Sequence, residues 1–254
     1  MVENKMRDRT PKADCHNCPH RRDLLQVGRC IPGDTCVRAM SGRQIERFFR
    51  TNPGMAESYS GDDFWERRAI AARYISQQRL LDMVKDPDEV VRRVLAYRLP
   101  QDSLDALIDD SDREVRVTVA DRLPQKQLHR MAHDEDYLVR NTVAKRIDPG
   151  RLFALMGDHD REVRKTVAAR LPASSLAFMQ YDTEAEIRLV VAERIDPSMV
   201  VNMLNDVDWR VRFMAVDRSP REALLSMQND EDEDVREAVR NRLVYLDKQS
   251  ANKE

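Results

Sequence analysis

Glycine, aromatic residues and long hydrophobic runs are scarce in this sequence of 254 residues. It contains seven glycines and 6% aromatic residues, and no stretch approaches the ~18 consecutive apolar residues of a membrane-spanning helix. The first residues, MVENKMRDRTPK, also lack the apolar core of a secretory signal peptide. We therefore expect a cytoplasmic protein with no membrane partner, in which cysteine thiols stay reduced.

Motifs of the common enzyme classes are missing as well. The sequence contains no G-x-G-x-x-G, no phosphate-binding loop and no serine nucleophile elbow. His129 and His133 have the spacing of a zinc-protease motif, but its glutamate is absent and no third ligand is evident. We therefore predict no catalytic residues, and nothing supports a hydrolytic or dinucleotide-dependent enzyme.

Charge is abundant but unevenly distributed. Charged residues make up 35% of the sequence, against ~25% in ordinary globular domains. Residues 1–59 contain 11 Lys/Arg and 7 Asp/Glu, a net charge of +4, whereas the remainder contains 32 and 38, a net charge of −6. With 41% hydrophobic residues, this composition is typical of a heavily charged helical protein with a sizeable core.

All four cysteines lie in the basic N-terminal segment. Cys15, Cys18, Cys30 and Cys36 form the pattern C-x2-C-x11-C-x5-C. Clustered thiols in a reducing compartment indicate a metal site, and four thiolates can bind either one zinc ion or an iron–sulfur cluster. The spacing does not decide between these alternatives. The first pair alone has the short gap of a zinc knuckle, and a proline follows Cys18 as in bacterial ferredoxins.

The remainder of the sequence is one unit of 24 residues, repeated. Seven full copies end at Asn241, and a partial copy at residues 61–73 precedes them; the full copies begin at Tyr74, Arg98, Arg122, Arg146, Arg170, Arg194 and Arg218. We number the positions of each copy from 1 to 24. Position 13 is always Asp, position 19 is always Arg, and position 18 of every full copy is β-branched.

The repeat pattern predicts two helical pieces in each copy. We expect the Asp at position 13 to be the N-cap of an α-helix with apolar residues at positions 18, 22 and 2 of the next copy. Proline at position 3 or 4 ends this helix. Apolar residues at positions 7 and 10, three apart, predict a short 3-10 helix, and no alternation typical of a strand is present.

The unit R-L-P-x-x-x-L-x-x-[LM]-x-x-D-x-D-x-x-V-R-x-x-V-A-x resembles the leucine-rich repeat variant, a family of bacterial proteins, over residues 61–241. HEAT-type repeats are the alternative, but they are longer. The resemblance implies an all-α fold, a right-handed superhelical solenoid of alternating α and 3-10 helices. It also implies a [4Fe–4S] cluster domain at residues 1–60 with the four cysteines as ligands. Within this domain, residues 41–50, SGRQIERFFR, predict a short helix that links the cysteines to the repeats. Residues 242–254 remain as a C-terminal tail.

The Arg at position 19 has a structural interpretation. On a helical wheel it lies at the rim of the buried stripe, where it can cover apolar surface and reach a carboxylate of the adjacent copy. A ladder of arginines that binds phosphates is the alternative, but it would be expected to leave the repeats basic, whereas their net charge is −6.

Departures from the repeat are better indicators of function. Positions 16 and 20 face outward and are usually polar, but later copies place Leu189, Trp209 and Phe213 there. Trp209 and Phe213 are four residues apart and share a helix face. We predict that the three residues belong to a protein-binding surface, unless a terminal helix or the tail covers them.

Taken together, the sequence predicts an iron–sulfur protein whose repeats bind another protein, with the cluster as an electron carrier or redox sensor. Members of the family it resembles are associated with nitrogen-fixing bacteria, which implies a link to nitrogen fixation. The alternative is a nucleic-acid-associated repeat protein with a structural [4Fe–4S] or zinc site. The acidic repeats disfavour that alternative.

Overall fold

The computed structural model describes residues 13–251. The chain divides into two compact units, the first ending at Pro124 and the second beginning at Gln125. In the described residues no β-strand is present, and one isolated antiparallel bridge joins Ile31 and Thr35. None of the described helices combines the length and apolar composition needed to cross a membrane.

The described part of the first unit contains the cysteines, the linker helix and the first repeats. Its elements are, in order, the π-helix Arg21–Leu25, α1 (Gly42–Thr51), the 3-10 helix Pro53–Tyr59, α2 (Trp65–Ala71), α3 (Gln77–Leu80), the 3-10 helix Leu81–Met83, α4 (Glu89–Arg98), the 3-10 helix Gln101–Leu107 and α5 (Arg113–Arg122). The linker helix predicted at residues 41–50 thus forms as α1.

The described part of the second unit consists of the remaining repeats. Its elements are, in order, the 3-10 helix Gln125–Met131, α6 (Tyr137–Arg146), the 3-10 helix Pro149–Leu155, α7 (Arg161–Arg170), the 3-10 helix Ala173–Met179, α8 (Ala185–Arg194), the 3-10 helix Val200–Asn205, α9 (Trp209–Val216), α10 (Arg221–Leu224), the 3-10 helix Leu225–Met227 and α11 (Glu233–Ala251). The alternation of α and 3-10 helices that the repeat pattern predicts is confirmed.

The core is built from the apolar stripe of the repeats. In the copy that begins at Arg146, Val163 and Val167 have no exposed surface, and Leu171 of the next copy completes the stripe. Neighbouring α-helices pack side by side, α2 with α4 and α4 with α5 in the first unit, and α6 to α9 and then α11 in the second. Proline ends the repeat helices as predicted, because it cannot continue the helical hydrogen-bond ladder.

The predicted N-cap is wrong by two positions. The residue that caps the helix is the Asp at position 15: Asp160, for example, accepts a hydrogen bond from the backbone N–H of Glu162 at 2.9 Å. The Asp at position 13 closes the turn before the helix instead, since Asp158 accepts from the N–H of Asp160 at 2.9 Å. The same carboxylate is also the partner of an arginine from the preceding copy.

The segment that the sequence interprets as a tail is helical as far as the structure describes it. Helix α11 begins in the last full copy and continues without a break to Ala251. Residues 252–254 of the predicted tail lie outside the described residues.

Candidate metal centre and partner surface

The second pair of cysteines is brought together by a tight hairpin. The backbones of Ile31 and Thr35 exchange two hydrogen bonds of 2.8 Å, and Cys30 and Cys36 each lie one residue outside this bridge. Gly33 at the turn has φ +81°, in the left-handed region that favours glycine. The hairpin therefore places two thiols at the same end of a short closed loop.

All four thiols line one cavity. Cys30 and Cys36 are buried, Cys15 and Cys18 are half-buried, and none is in a disulfide. Burial raises the pKa of the Cys30 thiol to about 12, and Cys36, Cys18 and Cys15 add to the increase. Burial also raises the pKa of Cys15, with further contributions from Cys36 and Cys18. The structure thus collects the four predicted ligands into one group of interacting thiols.

Two basic side chains and an aromatic cluster surround these thiols. Arg21 and Arg38 line the same cavity, as does His20, whose imidazole is hydrogen-bonded to the hydroxyl of Tyr59. The Tyr59 ring packs edge-on against Phe49 at a centroid distance of 5.6 Å. Burial raises the pKa of Tyr59 to about 12, so this hydroxyl is neutral at physiological pH. The lining therefore carries two guanidinium groups against the one carboxylate of Asp14, with an aromatic cluster behind His20.

The four thiols are neighbours: they line the same small cavity, and the side chains of Cys30 and Cys36 are hydrogen-bonded to each other. Among the described residues, no three His, Cys, Asp or Glu side chains converge closely enough to hold a single metal ion.

The Arg at position 19 forms the ion pair that the sequence predicts. Arg140 donates from Nε and Nη2 to the two carboxylate oxygens of Asp158 in the next copy, at 2.7 and 2.9 Å. Its Nη1 donates to the backbone carbonyl of Asp134 at 2.8 Å. Both side chains of the pair are only 4% exposed. The same two-point pairing recurs in Arg68–Asp86, Arg92–Asp110, Arg164–Asp182, Arg188–Asp206 and Arg212–Asp230.

A second column of arginines, at position 1, was not assigned a role from the sequence. Arg98 donates to the carbonyl oxygens of Ala72 and Ile75 at 2.6 and 2.7 Å, and Arg218 donates to Ala192 at 2.9 Å. These carbonyls lie near the C-terminal end of the preceding repeat helix, where acceptors lack intrahelical partners. The signal was present, because position 1 is Arg in six of the seven full copies.

The three residues predicted to bind a partner lie together. Leu189, Trp209 and Phe213 line one groove beside α11. The rings of Trp209 and Phe213 pack edge to face, 6.5 Å apart at 82°, and remain 41% and 43% exposed. The terminal helix thus forms a wall of the groove without covering these two rings.

A second exposed aromatic pair was missed. Phe153 and Phe178 lie on the 3-10 helices of consecutive copies, with ring centroids 5.9 Å apart. Both rings are exposed. They occupy positions 8 and 9. Position 9 is polar or small in every other full copy, so the departure at Phe178 was visible in the sequence, whereas position 8 is Leu or Val in three other copies.

Known proteins resemble both the cysteine-containing segment and the repeats of this chain. Residues 10–58 match a family model described as the LRV protein FeS4 cluster. A solved structure described as a leucine-rich repeat variant with a novel repetitive protein structural motif is 54% identical, with a TM-score of 0.83. That match covers 92% of this chain and 100% of the other. The chain thus carries an iron–sulfur cluster domain followed by helical repeats.

A curated relative matches over a shorter region. It comes from Rhodobacter capsulatus, is described as an uncharacterized 27.7 kDa protein in the nifB 3' region, and is 38% identical over 87 residues. The match covers 34% of this chain and 35% of the relative, so the two align over about a third of the relative's length.

Proposed function

The chain belongs to the leucine-rich repeat variant family, and from that premise we propose that it holds one [4Fe–4S] cluster and binds another protein through its repeats. Cys15, Cys18, Cys30 and Cys36 are the cluster ligands in this proposal. When bound, the cluster supplies one-electron transfer. The observation that carries the proposal is that all four thiols line one cavity in the part of the chain that matches the cluster family.

The arrangement of the thiols suits a cluster. A tetrahedral zinc site draws four ligand atoms to one ion. In a [4Fe–4S] cluster each thiolate binds a different iron, and four thiols at one cavity, in a segment that matches the cluster family, supply the four ligands that it needs. Arg21 and Arg38 at the same cavity place positive charge beside an anionic centre, which favours its reduced form.

Anaerobic purification tests the cluster. We expect brown protein with about four iron and four sulfide per chain, the content of one [4Fe–4S] cluster. Cys15→Ala and Cys36→Ala should each lose both iron and sulfide. Stoichiometric zinc without sulfide, in wild-type protein never exposed to air, would contradict the proposal.

The partner surface is the groove beside α11, and its chemistry favours a basic amphipathic helix. Leu189, Trp209 and Phe213 supply apolar contacts for such a helix, as in other helix-in-groove complexes. Asp234 and Glu237 on α11 line the same groove, and neither carboxylate forms an ion pair within the described residues.

Arg210 lines this groove and Arg242 of α11 lines a neighbouring one, and both arginines are already engaged. Arg210 donates to both carboxylate oxygens of Asp208, at 3.0 and 2.7 Å. Arg242 lies over the ring of Tyr245 at 5.2 Å and 3.9 Å from Asp217. The charge left free to meet a ligand is therefore negative, and a helix with leucines on one face and lysines beside them complements it.

Fluorescence of Trp209 tests this surface directly. The chain has two tryptophans, so Trp65→Phe leaves Trp209 as the only one. We expect a synthetic leucine–lysine amphipathic peptide to change its fluorescence at saturable concentrations, and an otherwise identical leucine–glutamate peptide not to bind. Phe213→Ala should weaken binding, whereas Phe178→Ala, which removes an exposed aromatic elsewhere in the same unit, should not. Equal binding of both peptides would contradict the proposed charge selectivity.

Three further assignments complete the proposal. The curated relative is described by its position beside nifB, which supports the link to nitrogen fixation that the family resemblance implies. Four free cysteines suit the reducing cytoplasm, and we place the protein there. The buried, paired arginines at position 19 favour a protein partner over nucleic acid, because they are not free to bind phosphates.

A further inference from the structure

Position 18 departs from the repeat pattern in the partial copy, which lies next to the cysteine domain. Position 18 is apolar and essentially without exposed surface in every full copy: Val91, Val115, Val139, Val163, Ile187, Val211 and Val235. In the partial copy the same position is Arg67, and it too is buried, with only 6% of its surface exposed. A buried arginine in place of a valine is costly unless its charge and its donors are all engaged.

The partners of Arg67 come from both sides of the junction. Its Nε donates to the backbone carbonyl of Val37 at 2.7 Å, and its Nη1 is paired with the carboxylate of Asp62. The guanidinium also lies over the ring of Phe64, 5.5 Å from its centroid. Val37 directly follows Cys36, so Arg67 binds the backbone immediately after the fourth cysteine.

On the repeat side, Arg67 completes the charge pattern. Asp62 occupies position 13, whose carboxylate in later copies is paired with an arginine from the preceding copy, as Asp86 is with Arg68. No copy precedes Asp62, and Arg67 from the following helix takes the place of that arginine. The N–H of Phe64 donates to the same carboxylate at 2.9 Å, which reproduces the turn of the other copies.

On the cysteine side, the segment that Arg67 contacts is held at a second point. The N–H of Cys36 donates to the carbonyl of Gln44 in α1 at 3.2 Å. The adjacent Arg38 lines the thiol cavity. The backbone from Cys36 to Arg38 thus lies between the thiols, α1 and the first repeat helix.

We propose that Arg67 is a positioning residue that holds the Cys36 end of the cysteine loop against the first repeat helix. It thereby joins the metal centre to the repeat array. The inference rests on the proposed function in one respect, that Cys36 is a cluster ligand. It adds a residue outside the matched cluster domain to those on which the cluster depends.

Arg67→Val tests this role, since valine is what the repeat uses at position 18. Losing the bond to Val37 should speed iron release to a chelator, and we expect an effect of about 10–100-fold, the range in which the loss of an outer-shell partner weakens metal affinity. Losing a positive charge near an anionic cluster should also make its midpoint potential more negative. The pairs from Arg68–Asp86 onward remain, so the helical circular dichroism should stay close to that of wild type.

Arg67→Lys separates the bond from the charge. Lysine keeps the positive charge, but it lacks the planar fork that binds Val37 and Asp62 together. We expect its potential to stay near the wild-type value while iron release remains fast. The control is Arg50→Ala, which removes an exposed arginine from α1 in the same unit and should change neither quantity.

The outcomes are distinct. A folded Arg67→Val protein with wild-type chelation rate and potential would overturn the inference, and so would full restoration of the rate by lysine. Zinc in place of a cluster in the wild-type protein would refute the proposed function alone. The positioning role would then be decided by hydrogen exchange, in which Arg67→Val should expose the amides of residues 36–38 and Arg50→Ala should not.

Discussion

At the scale of single residues, the arginine at position 19 joins one repeat to the next. Arg140 pairs at two points with Asp158 in the next copy and also binds two backbone carbonyls in the turn before its own helix. A planar guanidinium can make these contacts at once, whereas a lysine ammonium cannot. The residue is therefore required for its shape as well as its charge.

Removing this arginine should destabilise the array strongly. Arg140→Ala leaves the buried carboxylate of Asp158 without its partner, and we expect a loss of about 3–5 kcal/mol in the free energy of unfolding. Lys165→Ala removes an exposed, outward-facing charge and should change stability by no more than about 0.5 kcal/mol. Urea denaturation followed by circular dichroism measures both. An Arg140→Ala protein as stable as wild type would show that the pair is structurally dispensable.

The same pair predicts a loss of stability in acid. Burial acts to raise the pKa of Asp158, but Arg140 and the N–H of Asp160 outweigh it and hold the pKa below its ordinary value of 3.8. A carboxyl group with a lowered folded-state pKa stabilises the protein above that ordinary value, and the contribution is lost as the pH falls through the lowered pKa. The melting temperature should therefore fall below about pH 4, and Asp158→Asn should flatten this dependence. An unchanged slope in that variant would contradict the assignment.

Residue patterns predicted these pairs better than they predicted the caps. The invariance of Asp at position 13 was attributed to capping, but the ion pair requires it, and the capping residue is the Asp at position 15. Arg67 could not be assigned from the sequence at all. One of its partners is a backbone carbonyl, which leaves no trace in the identity of the residue that carries it.

At the scale of helices, capping explains a difference among the repeats. The capping position holds Asp in α4, α5, α6, α7 and α9, and each accepts a first-turn N–H. In α8 the residue is Glu184, whose side chain makes no capping bond. The longer side chain of glutamate is poorly suited to reach the first-turn amides, and it is not among the preferred N-caps.

Restoring the shorter side chain should stabilise α8. We expect Glu184→Asp to raise the free energy of unfolding by about 0.5–1 kcal/mol, because it gives α8 the cap that its neighbours have. Asp160→Ala should have the opposite effect on α7, a loss of about 0.5–2 kcal/mol. Denaturant titration of the two variants beside wild type measures the difference. A decrease in stability for Glu184→Asp would show that Glu184 has another role.

The last helix extends into the segment that the sequence analysis predicts to be a tail. Six copies place proline at position 3 or 4 after the repeat helix, and each helix stops there. After the last full copy these positions hold Val244 and Tyr245, and α11 continues past them. The absence of proline was visible in the sequence, so a helical extension could have been predicted in place of a tail.

At the scale of the whole molecule, the sequence predicted the repeat fold more fully than the metal centre. Each of the seven copies packs against its neighbours in the same way, so the pattern of each copy supports the interpretation of the others. The cysteine pattern occurs once, and its spacing left zinc and iron–sulfur open. The iron–sulfur domain was implied by the family resemblance of the repeats and not by the cysteine spacing, and the match of residues 10–58 to a known family supports it.

The last prediction concerns whether the cluster is a sensor or only an electron carrier. A sensor must couple two sites, so reduction of the cluster has to change the affinity of the groove for its ligand, by about 5–150-fold for typical couplings. A carrier needs no such change. We expect a shift, measured by anaerobic titration of the leucine–lysine peptide against oxidised and reduced protein. The change of Trp209 fluorescence in the Trp65→Phe variant reports binding in both states.

Two controls make that titration decisive. Phe213→Ala should weaken peptide binding in both redox states while leaving the iron content unchanged, because Phe213 and the cysteines lie in different units. Equal affinity of oxidised and reduced protein would remove the sensor role and leave electron transfer.

Duplex DNA serves as a competing ligand, and its affinity falls steeply with salt wherever phosphate contacts dominate. Tight, salt-dependent binding of plain duplex DNA, with no binding of the peptide, would favour a nucleic-acid-associated protein. Its repeats would then have to bind phosphates through cations other than the arginines of position 19, which are already paired.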